Sequence, residues 1–417
     1  MARQKNNSCR NITRREALAG ATGLAAAFAA PGLIRSAKAA DPIRIGVLSP
    51  VTGAWTVYGQ AHSRGFELAV EEINAAGGVL GRPIEMILAD YQTDQRLVVE
   101  QANRLLRQEK VDLLAGTFSS ADRNAAGPVV KAADKILLYP TWYEGQIKDY
   151  YPGVCNPNIF MFGPEPTQQV WPFMEHMVGT FGKKFYMIGS DYAWPRVTNL
   201  FTKEKLQELG GEVVAEVYIP FNTPQYESVL RDIREKKPNI IFHSLTGSDT
   251  VNFAQQFHAA GMSKDFIYWT VDDEEVVTSG LGPEVSAGHF VSFDYFMTIS
   301  HPNNKAFLER YKAKYGPDAL MNTVGVGMYN AGHMGALAIA KAGKVETAAI
   351  REALKDLTFD KAPQGPVKMR GLDNQIVVPS YLMKVREGWT SVNDMFEEIK
   401  SVPSVEPKDA RCDLPLK

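Results

Sequence analysis

Residues 111–139 read VDLLAGTFSSADRNAAGPVVKAADKILLY. Val111-Asp112-Leu113-Leu114-Ala115-Gly116 is a short apolar run ending in glycine, the pattern of a buried strand. Thr117-Phe118-Ser119-Ser120 is a hydroxyl-rich turn, a helix from about 122 to 133 follows, and Ile136-Leu137-Leu138-Tyr139 is the next strand. The same cycle extends in both directions. Upstream lie a strand at Ile43 to Leu48, a helix over 59–75, a strand at Ile84 to Ala89 and a helix over 97–109. Downstream, strands at Lys184 to Gly189, Val213 to Val217, Asn239 to His243 and Phe266 to Trp269 alternate with helices ending at Leu209 and spanning 225–236 and 250–260. Helix, then a glycine pair, then strand occurs in each half, at Gly77-Gly78 and Gly210-Gly211, where glycine supplies the left-handed helix stop. Strands alternating with helices predict parallel sheets with right-handed crossovers. The fold class expected is α/β, with two doubly wound parallel-sheet lobes. Helices over 303–315, 323–342 and 346–356 and strands near 366–370 and 379–386 complete the chain. No glycine- or serine-rich linker divides the halves, so the chain is expected to cross between lobes more than once, through a multi-crossover hinge.

The bulk numbers fit this plan. A chain of 417 residues is too long for one small core. A formal net charge of −2 gives no field of one sign that would draw nucleic acid or an anionic membrane surface. The first forty residues differ from the rest. A polar, basic start, Met1 to Arg15, runs into Ala17-Leu18-Ala19-Gly20 and Leu24-Ala25-Ala26-Ala27-Phe28-Ala29-Ala30, and Ala37-Lys38-Ala39 follows. This is the layout of a cleaved export signal over 1–40. Arg14-Arg15 resembles a twin-arginine signal, although a basic leader holding two arginines reads the same way. The apolar run is too short to span a bilayer and no later one reaches that length, so the expected location is the periplasm. Cys9 is lost with the leader. Cys155 and Cys412 remain, an even count that permits a disulfide in an oxidising compartment; two separate thiols are the alternative.

In open parallel sheets ligands bind beyond the carboxyl ends of the strands, beside helix N-termini. That rule selects Ser49 to Tyr58, Thr117 to Ser120 and Tyr139-Pro140-Thr141-Trp142-Tyr143-Glu144-Gly145 in the first half. In the second it selects Ser190 to Pro195, Ser244-Leu245-Thr246-Gly247 and Thr270 to Glu274. Ser119 and Ser120 sit where backbone N–H groups favour a carbonyl or carboxylate oxygen, and Thr141 adds a donor. Tyr139, Trp142, Tyr143, Tyr192 and Trp194 offer apolar walls with polar tips. Thr246 lies in a second-half turn, and Asp272, Asp273 or Glu274 would accept from an ammonium or amide N–H. Each residue also has a plainer reading. The serines would cap the helix, the aromatics would be core or hinge, and the acidic run would be a solvated helix start. The seven histidines show no metal-ligand spacing. There is no G-x-G-x-x-G after the first strand, no phosphate-binding G-x-x-x-x-G-K-[ST], no G-x-S-x-G elbow and no H-E-x-x-H. The expectation is binding of a small polar solute without catalysis and without a cofactor.

Ile45-Gly46-Val47-Leu48-Ser49-Pro50-Val51-Thr52-Gly53 with Tyr58-Gly59, Glu72-Ile73-Asn74-Ala75-Ala76-Gly77-Gly78-Val79-Leu80-Gly81, and Pro363-Gln364-Gly365-Pro366-Val367 resemble the branched-chain amino acid and amide type of periplasmic solute-binding protein, which feeds ABC transporters. The resemblance covers about Asp41 to Val385. Tyr139 to Gly145 and Gly189 to Arg196 are most similar to its urea and short-chain amide branch. The resemblance implies a periplasmic binding protein-like fold of type I. It divides the chain into one lobe of 41–163 plus about 297–365 and a second of 164–296 plus about 366–417 with the tail. It also implies that Ser120 and Thr141 are first-lobe hydrogen-bonding positions, that Tyr192 closes over ligand, and that one of Asp272 to Glu274 holds a ligand donor. Trp142 and Trp194 depart from a simple amino acid binder, and the Cys155 and Cys412 pair is not general to the family. Hinge closure around the solute, recognised by separate permease subunits, is the implied mechanism. An amide-sensing regulator of the same fold and an exported hydrolase acting on amides are the competing readings.

Overall fold

The computed structural model describes residues 41–145 and 156–407. The leader, with Cys9, Arg14 and Arg15, and both Cys155 and Cys412 lie outside the described residues.

The first sheet is wholly parallel, in the order β2-β1-β3-β4-β5. Its strands and helices follow in sequence as β1 (Ile43–Ser49), α1 (Thr56–Ala75), β2 (Ile84–Asp90), α2 (Gln95–Asn103), β3 (Leu113–Gly116), α3 (Ser120–Ala132), β4 (Leu137–Tyr139) and β5 (Ile159–Met161). Ile43, Ile45 and Val47 of β1 face one core, and Leu48 joins a second core on the other side of the sheet with Leu114, Leu137 and Tyr139. Strands covered on both faces read as near-continuous apolar runs, which is why β1 and β3 were plain in the sequence. Gly116 ends β3 at φ +106°, where a Cβ would stand 2.1 Å from the Leu48 carbonyl oxygen. Only glycine fits there.

The chain then passes to the second sheet through α4 (Pro166–Gln169) and α5 (Trp171–Phe181). It builds β6 (Lys184–Ser190), α6 (Ala193–Glu208), β7 (Glu212–Ile219), α7 (Glu227–Lys236), β8 (Ile240–Ser244), α8 (Ser248–Ala259), β9 (Ile267–Thr270), α9 (Glu275–Ser286) and β10 (Phe290–Phe293). Next come α10 (Pro302–Tyr315), α11 (Thr323–Ala342) and α12 (Thr347–Leu354), and then β11 (Thr358–Phe359), β12 (Val367–Met369), β13 (Ile376–Val385) and β14 (Phe396–Val405). Helix α11 packs along α1 and against β4 of the first sheet. The close crossing relies on Gly65, where a Cβ would lie 2.0 Å from the Gly325 carbonyl oxygen. The second sheet runs β11-β12-β13-β10-β9-β8-β6-β7, and β14 pairs with β13 as a branch off that order. Strands β6 to β10 pair in parallel, whereas β13 pairs antiparallel with both β10 and β14.

Several elements were not expected. Helices α4 and α5 begin at or next to prolines, Pro166 and Pro172, which read as breakers although proline is favoured in a first helical turn. The solvated helix start expected as one reading of Asp272 to Glu275 is overturned. All four side chains are fully buried, because α9 packs its first turn inward against the loop after β10, where Glu275 accepts from the Met297 N–H. Among the described residues no helix is long and apolar enough to cross a membrane.

Candidate functional site

The carboxyl ends of the two sheets face one another. From the first sheet come the turn after β1, holding Trp55 and leading to Tyr58, the turn after β3, holding Thr117 to Ser119, and the turn after β4, holding Thr141 to Gly145. From the second come Tyr192 after β6, Thr246 and Gly247 after β8, Asp272 to Glu274 after β9, and Phe293 at the end of β10. The two sets touch. The Trp55 ring comes within 3.1 Å of the position a Cβ on Gly247 would take. Trp142 lies edge-on to Trp194 at 6.2 Å and to Phe293 at 5.1 Å between ring centres. The lobes are closed.

Aromatic rings form the wall. Tyr58 stacks on Phe118 at 4.4 Å, Trp55 leans on Phe118 at 5.1 Å, and Trp142 meets Phe118 edge-on at 5.7 Å. Tyr192 packs beside Trp194. The structure thus brings Trp142, Tyr192 and Trp194 together, and adds Trp55, Tyr58, Phe118 and Phe293. Tyr58, Trp55 and Phe118 lay inside turns marked by the strand-end rule. Nothing in their local sequence told these rings from core, and only the pairing of two distant halves sets them face to face.

On the first-lobe side most of the polar groups satisfy one another. Ser119 caps α3, accepting from the Asp122 N–H at 3.1 Å while Asp122 accepts from the Ser119 N–H at 3.1 Å, a reciprocal capping box. Ser120 donates to Glu144 Oε2 at 2.5 Å, and Arg123 Nη2 reaches Glu144 Oε1 at 2.7 Å. The guanidinium lies over the rings of Tyr139 and Tyr143, 5.1 Å from each centre. Tyr139 donates to the Phe118 carbonyl at 2.7 Å, Thr141 to the Thr117 carbonyl at 3.3 Å, and Tyr143 to Gln375 Oε1 at 2.5 Å, on the hinge side. Glu144 lies in a turn that the strand-end rule selects, but a lone glutamate after a strand carries no mark of burial. Thr117 holds φ +63°, a costly backbone for a β-branched residue, and its Oγ1 is buried with no partner in the protein. Such strain clusters at ligand clamps.

The second-lobe side is different. Tyr192 and Thr246 share a hydrogen bond at 3.2 Å between hydroxyls. Both carboxylate oxygens of Asp272, Oε1 of Glu274 and the indole N–H of Trp194 are buried with no partner in the protein. Glu274 Oε2 caps α9 by accepting from the Val276 N–H. Burial pushes the Asp272 carboxyl far above the usual carboxylate range, with Asp273 adding to it. Burial likewise raises Glu274, with Glu275 adding. Burial also raises the Tyr58 phenol across the cleft, and the nearby charges of Asp272 and Glu274 add to that. Asp272 and Glu274 Oε1 thus stay unpaired in the strand-end turn after β9. Asp273 by contrast accepts from Thr250 and Tyr268 beside His243 at 3.5 Å. Among the described residues no group of His, Cys, Asp and Glu is arranged to hold a metal ion.

A separate open groove of about 900 Å³ runs outside α1 and α11, lined by Glu72, Arg310, Tyr329 and His333 among others. None of the cleft residues borders it.

Two α/β lobes closed over strand-end turns define a hinged binding fold. The family model described as periplasmic binding protein matches residues 42–390, and the chain belongs to that family. It is 28% identical over 353 residues to Leu/Ile/Val-binding protein homolog 7 of Brucella suis biovar 1 (strain 1330), covering 80% of this chain and 86% of that one. Among solved structures it is similar to the amino acid ABC transporter substrate-binding protein of Pseudomonas fluorescens Pf-5, with a TM-score of 0.78 at 20% identity, covering 88% and 97% of the two chains. It is similar also to a solute binding protein of an ABC transporter from Rhodopseudomonas palustris BisB5 in complex with 3,4-dihydroxy benzoic acid, with a TM-score of 0.77 at 22% identity, covering 88% and 98%. These likenesses establish the periplasmic binding protein type I fold.

Proposed function

We propose that the protein is the extracytoplasmic solute-binding component of an ABC uptake system and that it captures urea or a short-chain amide between its lobes. The observation that carries this reading is the unmatched polar set inside a closed cleft. Asp272 offers acceptors, Trp194 offers an N–H, and Tyr58 and Tyr192 stand beside them. Burying such groups without partners is unfavourable, and a solute carrying both N–H donors and a carbonyl would satisfy them. The body of 41–163 with about 297–365 closes on the body of 164–296 with about 366–407, and the permease subunits read the closed form. The leader over 1–40 takes the chain to the periplasm. The protein is read as binding its ligand without chemistry on it, in keeping with relatives named as binding proteins.

A branched-chain amino acid is the second reading. It is favoured by the relatives named as Leu/Ile/Val-binding homologs and by carboxyl groups at Asp272 and Glu274 suited to an ammonium. A thermal-shift screen of urea, acetamide, leucine and benzoate separates the two. A ligand at a hundred times its Kd stabilises the fold by about 2.7 kcal/mol. Urea or acetamide at low millimolar concentration is expected to raise the melting temperature; a shift with leucine alone overturns the amide reading. Incubation of the amide with protein is expected to yield no ammonia. A reporter fused to residues 1–40 is expected in the periplasm.

A further inference from the structure

The first turn of α3 is where partial positive charge from the helix favours an anion. In this protein a side chain already fills that place. Glu144 is fully buried, accepts from Ser120 Oγ at 2.5 Å and is paired with buried Arg123 at 2.7 Å. Glu144 belongs to the same turn as Trp142, whose ring meets Trp194 and Phe293 of the opposite lobe, so this pair stands in the wall that the second lobe closes on. We infer that Glu144 is a specificity residue that keeps carboxylate-bearing solutes out of the cleft, so that the protein takes amides and rejects the corresponding acids. The inference rests on the amide reading above and sharpens it.

Three observations support it. The Ser120 hydroxyl spends its proton on Glu144, leaving its oxygen to accept from a ligand N–H rather than to donate to a ligand carboxylate. The cation at this wall, Arg123, is already neutralised by Glu144. The opposite wall holds two further carboxyl groups, Asp272 and Glu274. A ligand carboxylate brought in here would find no uncompensated cation to offset the loss of its hydration.

The test is calorimetric titration of matched pairs at neutral pH: acetamide with acetate, benzamide with benzoate, leucinamide with leucine. In the wild type at least one amide is expected to bind, and its acid to bind about a hundredfold more weakly. Glu144→Gln frees Arg123, whose Nε and Nη1 already lack partners, and the acid is expected to gain about tenfold relative to its amide. Because that variant leaves a buried cation uncompensated, the double variant Arg123→Gln/Glu144→Gln is measured beside it, with circular dichroism to verify folding; its acid-to-amide ratio is also expected to rise. An acid that binds the wild type as tightly as its amide overturns the inference while leaving solute capture intact. An unchanged ratio in both variants overturns it as well. If neither member of any pair binds, the amide reading falls and this inference falls with it.

Discussion

The two walls of the cleft handle their polar groups in opposite ways. On the first-lobe wall Ser119, Ser120, Tyr139, Thr141, Tyr143, Arg123 and Glu144 all have hydrogen-bond partners within that wall or the hinge. On the second-lobe wall Asp272 has none for either oxygen, Glu274 lacks one for Oε1 and Trp194 lacks one for its N–H. The first wall is largely a bonded scaffold, with Thr117 Oγ1 and Arg123 Nε and Nη1 as its exceptions, and the second is half of a binding site. The difference teaches where ligand binding energy originates: a buried, satisfied network fixes geometry, whereas an unsatisfied one costs free energy until a ligand completes it.

The comparison breaks most visibly at Arg123. Removing one member of a buried pair strands the other charge, so Arg123→Ala is expected to cost about 3–5 kcal/mol of unfolding free energy in guanidinium chloride denaturation. The double variant Arg123→Gln/Glu144→Gln is expected to cost clearly less. Equal costs would mean that the pair is not held as a unit. At Asp272 the opposite pattern is expected. Asp272→Ala removes buried acceptors that lack partners, so the ligand-free protein is expected to be as stable as the wild type or more so. Its affinity for the amide is expected to fall by about 2 kcal/mol, roughly thirtyfold, the worth of a hydrogen bond to a carboxylate.

The buried acids also set a pH dependence. Burial pushes the Glu275 carboxyl up to about 8, against its hydrogen bond from Met297, and pushes Asp294 up to about 7. In the unfolded chain both ionise near 4. The folded state therefore holds more protons between those values, and stability present at low pH is lost as pH rises through 7 and 8. Buried His62 and His289, held down to about 3 by burial, act in the other direction, but only below about pH 6.5, where unfolded imidazoles protonate. Above that pH the acids alone set the slope. Denaturation midpoints are expected to fall from pH 6.5 to 8, and Glu275→Gln is expected to flatten the slope by up to about 1.4 kcal/mol per pH unit. A midpoint that rises over this range would contradict the burial of these acids. The smallest effect is expected at Ser119. Ser119→Ala removes a cap worth about 1 kcal/mol of stability and is expected to leave affinity unchanged, since its hydroxyl is committed to Asp122.

Much of the fold was legible in the sequence, because strands buried on both faces read as continuous apolar runs and helices such as α7 bury one apolar stripe, Val229, Leu230 and Ile233. Strand β14 was not legible. Phe396–Val405 lies beside β13 alone, presents mostly exposed side chains and contains Pro403, which is compatible with a sheet edge but hides a strand. Strand β5 has three residues and depends on its neighbour β4. The turns that form the cleft were legible from strand ends alone. What they do to each residue was not. Asp272 to Glu275 read as a solvated helix start because four consecutive acids seldom go inside unpaired. The role of Glu144 depends on Ser120 and Arg123 in the first turn of the preceding helix. Such couplings between distant segments leave no local pattern.

The central claim is that a small amide is held between the lobes by the unmatched groups of the second wall. Calorimetric titration of acetamide into the wild type and into Asp272→Ala tests it most directly. The account predicts one site per chain in the wild type and a roughly thirtyfold weaker one in the variant. Equal affinity in the two proteins would contradict it.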